Sequence, residues 1–277
     1  MEIDGRIVVI TGGGGGIGRA LAEAFAAAGA GAVVVADLDG AAAERVATRL
    51  REAGHEALGL RCDVALEADT VAVVDATVAA FGRIDIFCAN AGIVVPGGVE
   101  VPDAQWERIW EVNVRSHVHA ARAVVPAMLE RGEGYLIITA SAAGLLTQIG
   151  SAPYAVTKHA AVALAEWLSI THGDAGLRVS CLCPQGVWTA MTGAPDEDID
   201  GDGLQSEFAV STAGRDGMLL PAEVAAAVIE AVGDERFLIL PHPVVADYEV
   251  RRASERERWL RGMRRVNAQV MGSGPAV

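Results

Sequence analysis

The chain has 277 residues, of which 52% are hydrophobic and 21% charged, and its formal charge is −14. That length supports a sizeable core within one domain, and that composition excludes a disordered chain. The acidic balance excludes a dominant basic face for nucleic acid, and no apolar run nears the ~18–20 residues of a membrane helix.

The first residues pass directly into the apolar run at 6–10, without the basic and apolar regions of a signal peptide, so a cytoplasmic protein with no membrane partner is expected. In chain order, β-branched runs at 6–10, 32–36, 56–61, 84–89, 134–140, 177–182 and 236–240 predict strands. Alanine-rich stretches near 17–29, 40–53, 66–81, 103–131, 153–173 and 221–232 predict helices between them. Such apolar strands alternating with helices predict an α/β fold. Its sheet is parallel and doubly wound in the Rossmann manner, with about seven strands and helices on both faces. Residues 1–277 read as a single domain. Residues 189–217 lack periodicity and are rich in Gly, Asp and Thr, which predicts a mobile loop region. Residues 243–277 read as a C-terminal extension with a frayed tail after Gly272. Within it, residues 249–265 carry seven arginines against three glutamates at helical spacing, the pattern of a solvated helix.

Cys62, Cys88, Cys181 and Cys183 end apolar runs and form neither a disulfide framework nor a metal cluster, so they are expected to be core residues and no metal is expected.

Thr11 is followed by five glycines, Ile17 and Gly18, between the first strand and the first helix. A glycine loop there lets the backbone approach a pyrophosphate seated on the helix N-terminus. Five glycines fit several registers, so Gly12, Gly14, Gly15, Gly16 and Gly18 are all candidates, with Ile17. Asp37 closes the second strand 19 residues after Gly18, near the spacing of an acid that binds the adenosine ribose. No Arg or Lys occupies positions 12–18 or follows Asp37 directly, so NAD is expected rather than NADP.

Of the 22 basic residues only Lys158 is a lysine, so a tunable ammonium is retained at one position alone. Tyr154 lies four residues before it on the helical stretch 153–173, on the same face. A cation beside a phenol is expected to lower the tyrosine pKa toward working pH, which suits a general acid/base. Ser141 ends the fifth strand, and its hydroxyl suits holding a carbonyl or alcohol oxygen.

Together these residues resemble the short-chain dehydrogenase/reductase family, in its compact single-domain branch, over about residues 5–242. The resemblance implies an oxidoreductase with the tetrad Asn113, Ser141, Tyr154 and Lys158. It adds Asp63 and Val64 at the adenine, Leu38 beside Asp37, and Asn90, Ala91 and Gly92 in a motif whose first Asn is here Ala89. Pro184, Gly186, Val187 and Thr189 match the family's nicotinamide segment, with Gln185 in place of the usual Gly. By family position the substrate residues are Ser141, Leu145, Leu146, Gln148, Tyr154, Gln185, Trp188 and Met191, under a covering loop at 189–217. That set holds no arginine pair, so an uncharged, fairly hydrophobic secondary alcohol or ketone is expected. The resemblance also implies a homodimer or homotetramer through the helix carrying Tyr154. Trp259 and Met263 either pack the C-terminal helix on the body or close a pocket. Residues 196–207 satisfy a calcium-loop pattern, but Pro195 stands where a helix should enter and Gly203 where an apolar anchor belongs, so no calcium binding is expected. Two rival readings are an NAD-binding sensor without turnover and a sugar-nucleotide epimerase or dehydratase, which needs a larger C-terminal substrate domain.

Overall fold

The computed structural model describes residues 1–193, 214 and 216–272. Seven runs form one sheet: β1 (Ile7–Thr11), β2 (Ala32–Asp37), β3 (Ala57–Arg61), β4 (Ile86–Ala89), β5 (Gly134–Thr139), β6 (Leu177–Leu182) and β7 (Leu238–Ile239). Their order is β3-β2-β1-β4-β5-β6-β7 and every neighbouring pair is parallel. Val9 stands in register with Val34 on one side and Phe87 on the other.

Strand side chains alternate between two cores. Val8, Ile10, Val33, Val35, Ile86 and Tyr135 enter one cluster with Leu21 and Phe25 of α1 (Gly16–Ala27), Val46 and Leu50 of α2 (Gly40–Glu52), and Val224 and Val228 of α8 (Pro221–Gly233). Val9, Val34, Phe87 and Leu136 enter the other, with Val73 of α3 (Glu67–Phe81), Val124 and Met128 of α5 (Ser116–Arg131), and Ala161 and Leu168 of α7 (Ala152–His172). Burial on both faces explains why the strands read as continuous apolar runs. Each such Val, Leu or Phe contributes about 1.5–3 kcal/mol.

The structure departs from the sequence expectation in three places. The single helix expected at 103–131 is interrupted: α4 (Asp103–Trp110) and α5 are joined by a π-helical turn at Glu111–Arg115. A short helix, α6 (Ala142–Leu146), follows β5 with Ser141 as its N-cap. The arginine-rich extension forms two helices, α9 (Val244–Ser254) and α10 (Arg256–Val270).

The chain builds outward from β1 to β2 and β3, then returns to place β4 on the other side of β1. The loops after β1 and β4 therefore diverge at the carboxyl edge, leaving a crevice at the switch point.

Candidate active site

At that crevice the register of the five glycines resolves. Gly12 and Gly16 have φ of +64° and +49°, a region that strains other residues. A Cβ on Gly18 would stand 1.9 Å from the Gly12 carbonyl oxygen, so only glycine permits this approach of helix to loop. α1 begins at Gly16, and its N-cap Gly15 supplies no capping side chain, so the first-turn N–H groups face the crevice. Asn90 locks the loop from β4: its Nδ2 donates to the Thr11 oxygen at 3.1 Å and its Oδ1 accepts from Thr139 Oγ1 at 3.1 Å.

Asp37 Oδ2 accepts from Gly14 N at 2.9 Å and Oδ1 from Asp39 N at 3.0 Å, which fixes its carboxylate beside the loop. These features fit a dinucleotide: a phosphate cradle that a Cβ would fill, helix N–H donors, and a carboxylate for ribose hydroxyls.

The tetrad assembles from three elements: the N-cap of α6, the helix α7 and the π turn. Ser151 caps α7, its Oγ accepting from Tyr154 N at 3.4 Å, and Pro153 occupies the first turn. Lys158 is 2% exposed; its Nζ lies 5.7 Å from the Tyr154 ring centroid and donates to the Thr139 oxygen at 2.8 Å. Ser141 Oγ accepts from Ala143 N at 3.1 Å and donates to the Pro184 oxygen at 3.3 Å. Asn113 sits in the π turn, fully buried, bonded to both backbone groups of Ile93 and to Thr157 Oγ1. A Cβ on Gly92 would lie 3.3 Å from Lys158 Nζ and 3.4 Å from Asn113 Oδ1, so these three residues converge.

Burial dominates the electrostatics. It pushes the Tyr154 phenol above its ordinary value, with a hydrogen bond to Ser141 opposing it. It also lowers the Lys158 ammonium to about 8. The sequence expectation that the lysine draws the phenol down is not what the protein alone gives; desolvation favours the neutral form of both groups.

A cavity of 1680 Å³ runs along the crevice. Of the expected cofactor residues, all but Gly186 line it, from the glycine loop through Asp37, Leu38, Asp63, Val64, Ala91 and Gly92 to Pro184, Val187 and Thr189. Ser141, Tyr154 and Lys158 line it and Asn113 stands behind them. Among the expected substrate residues Leu146, Gln148, Gln185 and Met191 line it. Leu145 and Trp188 do not: Leu145 is 6% exposed and belongs to the core under α6, because that segment is helical and turns it inward. Residues 194–213 and 215, with the calcium-loop pattern and most of the covering loop, lie outside the described residues. Among those described, no group of His, Cys, Asp and Glu is arranged to hold a metal, and no helix is long and apolar enough to cross a membrane.

Sequence reasoning saw only part of one wall, Trp259 and Met263, and left open whether they pack the helix or close a pocket. Tyr248, Arg251, Arg258, Trp259, Met263, Arg265 and Val266 also line the cavity. The expectation of an uncharged substrate rested on positions 145–191 and did not include these arginines. The signal was the i, i+3, i+4, i+7 spacing from 255 to 269, which places those α10 residues on one helix face.

Residues 6–200 match the short chain dehydrogenase family. The chain belongs to that family. It is thus an oxidoreductase of the class acting on CH–OH groups. It is 39% identical over 211 residues to the 1-deoxy-11-beta-hydroxypentalenate dehydrogenase of Streptomyces exfoliatus, covering 75% of this chain and 72% of that one. It is 34% identical to an uncharacterized NAD-dependent oxidoreductase of Mycobacterium tuberculosis, over 65% of this chain and 68% of that one. Among solved structures, a short chain dehydrogenase/reductase from Burkholderia phymatum in complex with NAD superposes with a TM-score of 0.82 at 35% identity, covering 93% and 96% of the two chains.

Proposed function

We propose that this dehydrogenase moves a hydride between NAD and a secondary alcohol or ketone with a hydrophobic body, with Tyr154 as general acid/base. The observation that carries this reading is the convergence of Ser141, Tyr154 and Lys158 on one cavity wall, with Asn113 directly behind.

NAD, when bound, supplies the hydride chemistry at its nicotinamide ring. The remaining work falls to the chain. Ser141, fixed by its bonds to Ala143 N and the Pro184 oxygen, holds the substrate oxygen in reach of Tyr154. Burial favours the protonated Tyr154 phenol, which suits proton donation to a ketone; in the other direction Tyr154 first gives up its proton, and the phenolate then takes the proton of the alcohol. Lys158 holds its ammonium beside the Tyr154 ring, 5.7 Å from the centroid, and close to Asn113 across Gly92. Leu146, Ile149 and Met191 line the cavity and keep water from the reacting carbon.

Asp37 supports NAD over NADP, because its carboxylate would oppose a ribose 2′-phosphate. Arg45 lines the same region but lies 3.9 Å from Asp39, which balances its charge. The NAD-bound neighbour and the NAD-dependent relative favour the same choice. A homo-oligomer through α7 belongs to this proposal: Val156, Trp167 and Ile170 on that helix are 48%, 56% and 85% exposed.

The Tyr154→Phe variant tests the assignment. It removes only the transferable proton, so turnover should fall by ~10²–10⁴-fold while NAD affinity changes little. Wild-type turnover in that variant would remove Tyr154 from the mechanism.

A further inference from the structure

Beyond the tetrad the cavity runs out beneath α9 and α10. α9 packs on α6, the helix that Ser141 caps, and Met271 Sδ lies 3.7 Å from where a Cβ on Gly150 would stand. This wall therefore faces the substrate end of the cavity and not the Asp37 end.

Its chemistry is of two kinds. Trp259, Met263 and Val266 present apolar surface, and Arg251, Arg258 and Arg265 present cations. Arg258 is neutralised by Glu255 at 2.9 Å. Arg251 and Arg265 make no ion pair with any described residue. Arg251 stands beside a fixed ring: its guanidinium carbon lies 6.0 Å from the Tyr248 ring centroid, Tyr248 OH donates to Asp216 Oδ1 at 3.0 Å, and Gln185 Nε2 donates to Asp216 Oδ2 at 2.9 Å. Asp216, the other carboxylate on this wall, is thus already engaged by two donors. Two guanidinium groups that line a cavity without an ion pair among the described residues stand out in a chain of charge −14, whose general field repels anions. A planar guanidinium matches a carboxylate in two-point fashion.

We propose that this wall is an anion subsite: the substrate carries a carboxylate remote from its carbinol, held by Arg251 and Arg265, with its apolar body on Trp259, Met263 and Val266. The inference rests on the reading of this cavity as a substrate site and names the class of substrate it takes.

The test is calorimetric titration of the NAD⁺-saturated protein with decanoate and with 4-cyclohexylbutyrate, each beside its primary amide. The acids should bind at least about tenfold more tightly than the amides, and the gap should narrow as salt is raised. The R251Q/R265Q double variant should bring the acids to the level of the amides, leaving amide and NAD⁺ affinity within about twofold. R251K/R265K, which keeps the charge, should retain part of the preference. Equal binding of acid and amide, equal weakening of both in the variant, or no binding of either acid at millimolar concentration overturns the subsite. The acid preference in a protein that oxidises no secondary alcohol would support the subsite and remove the hydride-transfer reading. Turnover of neutral alcohols without any acid preference would do the reverse.

Discussion

Asn113 and Ile93 exchange two hydrogen bonds beneath the tetrad: Ile93 N donates to Asn113 Oδ1 at 2.8 Å, and Asn113 Nδ2 donates to the Ile93 oxygen at 2.9 Å. The pair ties the π turn between α4 and α5 to the loop that follows β4. Asn113→Ala leaves both backbone groups of a half-buried loop residue without partners, at a cost of about 2 kcal/mol. We expect the melting temperature to fall by roughly 4–8 °C and turnover to drop with it. An unchanged melting curve with normal activity would show that the π turn holds itself.

Acid stability tests a second buried group. His117 is 1% exposed, neither ring nitrogen has a partner among the described residues, and burial, aided by the Lys158 charge, lowers its pKa to about 3. The unfolded chain takes that proton near 6.5 and the native chain does not until about 3. Between those values the unfolded state binds more protons, so stability falls with falling pH, by up to ~1.4 kcal/mol per pH unit. His117→Leu, of similar size and without a proton to take, should flatten that limb. Urea midpoints for both proteins from pH 6.5 to 4 decide it; parallel slopes would contradict the assignment.

Asp37 and Leu38 set the cofactor preference in this account. Asp37→Ser with Leu38→Arg removes the opposing carboxylate and adds a cation at a site 53% exposed. The ratio of kcat/KM for NADP⁺ to that for NAD⁺ should rise by at least about tenfold, the equivalent of ~1.4 kcal/mol. Because Asp37 also holds Gly14 N, some loss of NAD⁺ affinity should accompany the change. A wild-type protein already indifferent between the two cofactors would contradict the role of Asp37.

The exposed apolar face of α7 carries the assembly prediction. Ile170→Asp places a charge on a side chain that is 85% exposed and should not disturb the fold of the single chain. Light scattering should show a dimer or tetramer for the wild type and a smaller species for the variant. A monomeric wild type would remove the oligomer from the proposal.

Much of this architecture was legible in the sequence because both faces of the sheet are covered. Val33, Val34 and Val35 are all buried, so β2 announces itself as an unbroken apolar run. Tyr154 and Lys158 were legible as well, since a helical i, i+4 pair that uses the chain's one lysine is a local signal. What sequence could not supply is set by tertiary contact. The π turn at Asn113 looks like ordinary helix until Ile93 and Thr157 are brought against it. Leu145 holds a family position for substrate contact, yet the one-turn helix capped by Ser141 rotates it into the core. Burial raises the Tyr154 phenol against its hydrogen bond with Ser141, a balance that spacing alone does not show. The arginines of α9 and α10 read as a solvated stripe because nothing local says that the stripe meets a cavity.

Hydride transfer is the central claim, and isotope transfer tests it most directly. Secondary alcohols deuterated at the carbinol carbon, including hydrophobic hydroxy acids, would be incubated with the protein and NAD⁺ or NADP⁺, and the reduced cofactor examined by mass spectrometry. The account predicts one deuterium on the nicotinamide ring, with NAD⁺ strongly preferred and the signal lost in Tyr154→Phe. Clear NAD⁺ binding with no deuterium transferred from any alcohol of the panel would contradict it and favour a protein that binds the dinucleotide without turnover.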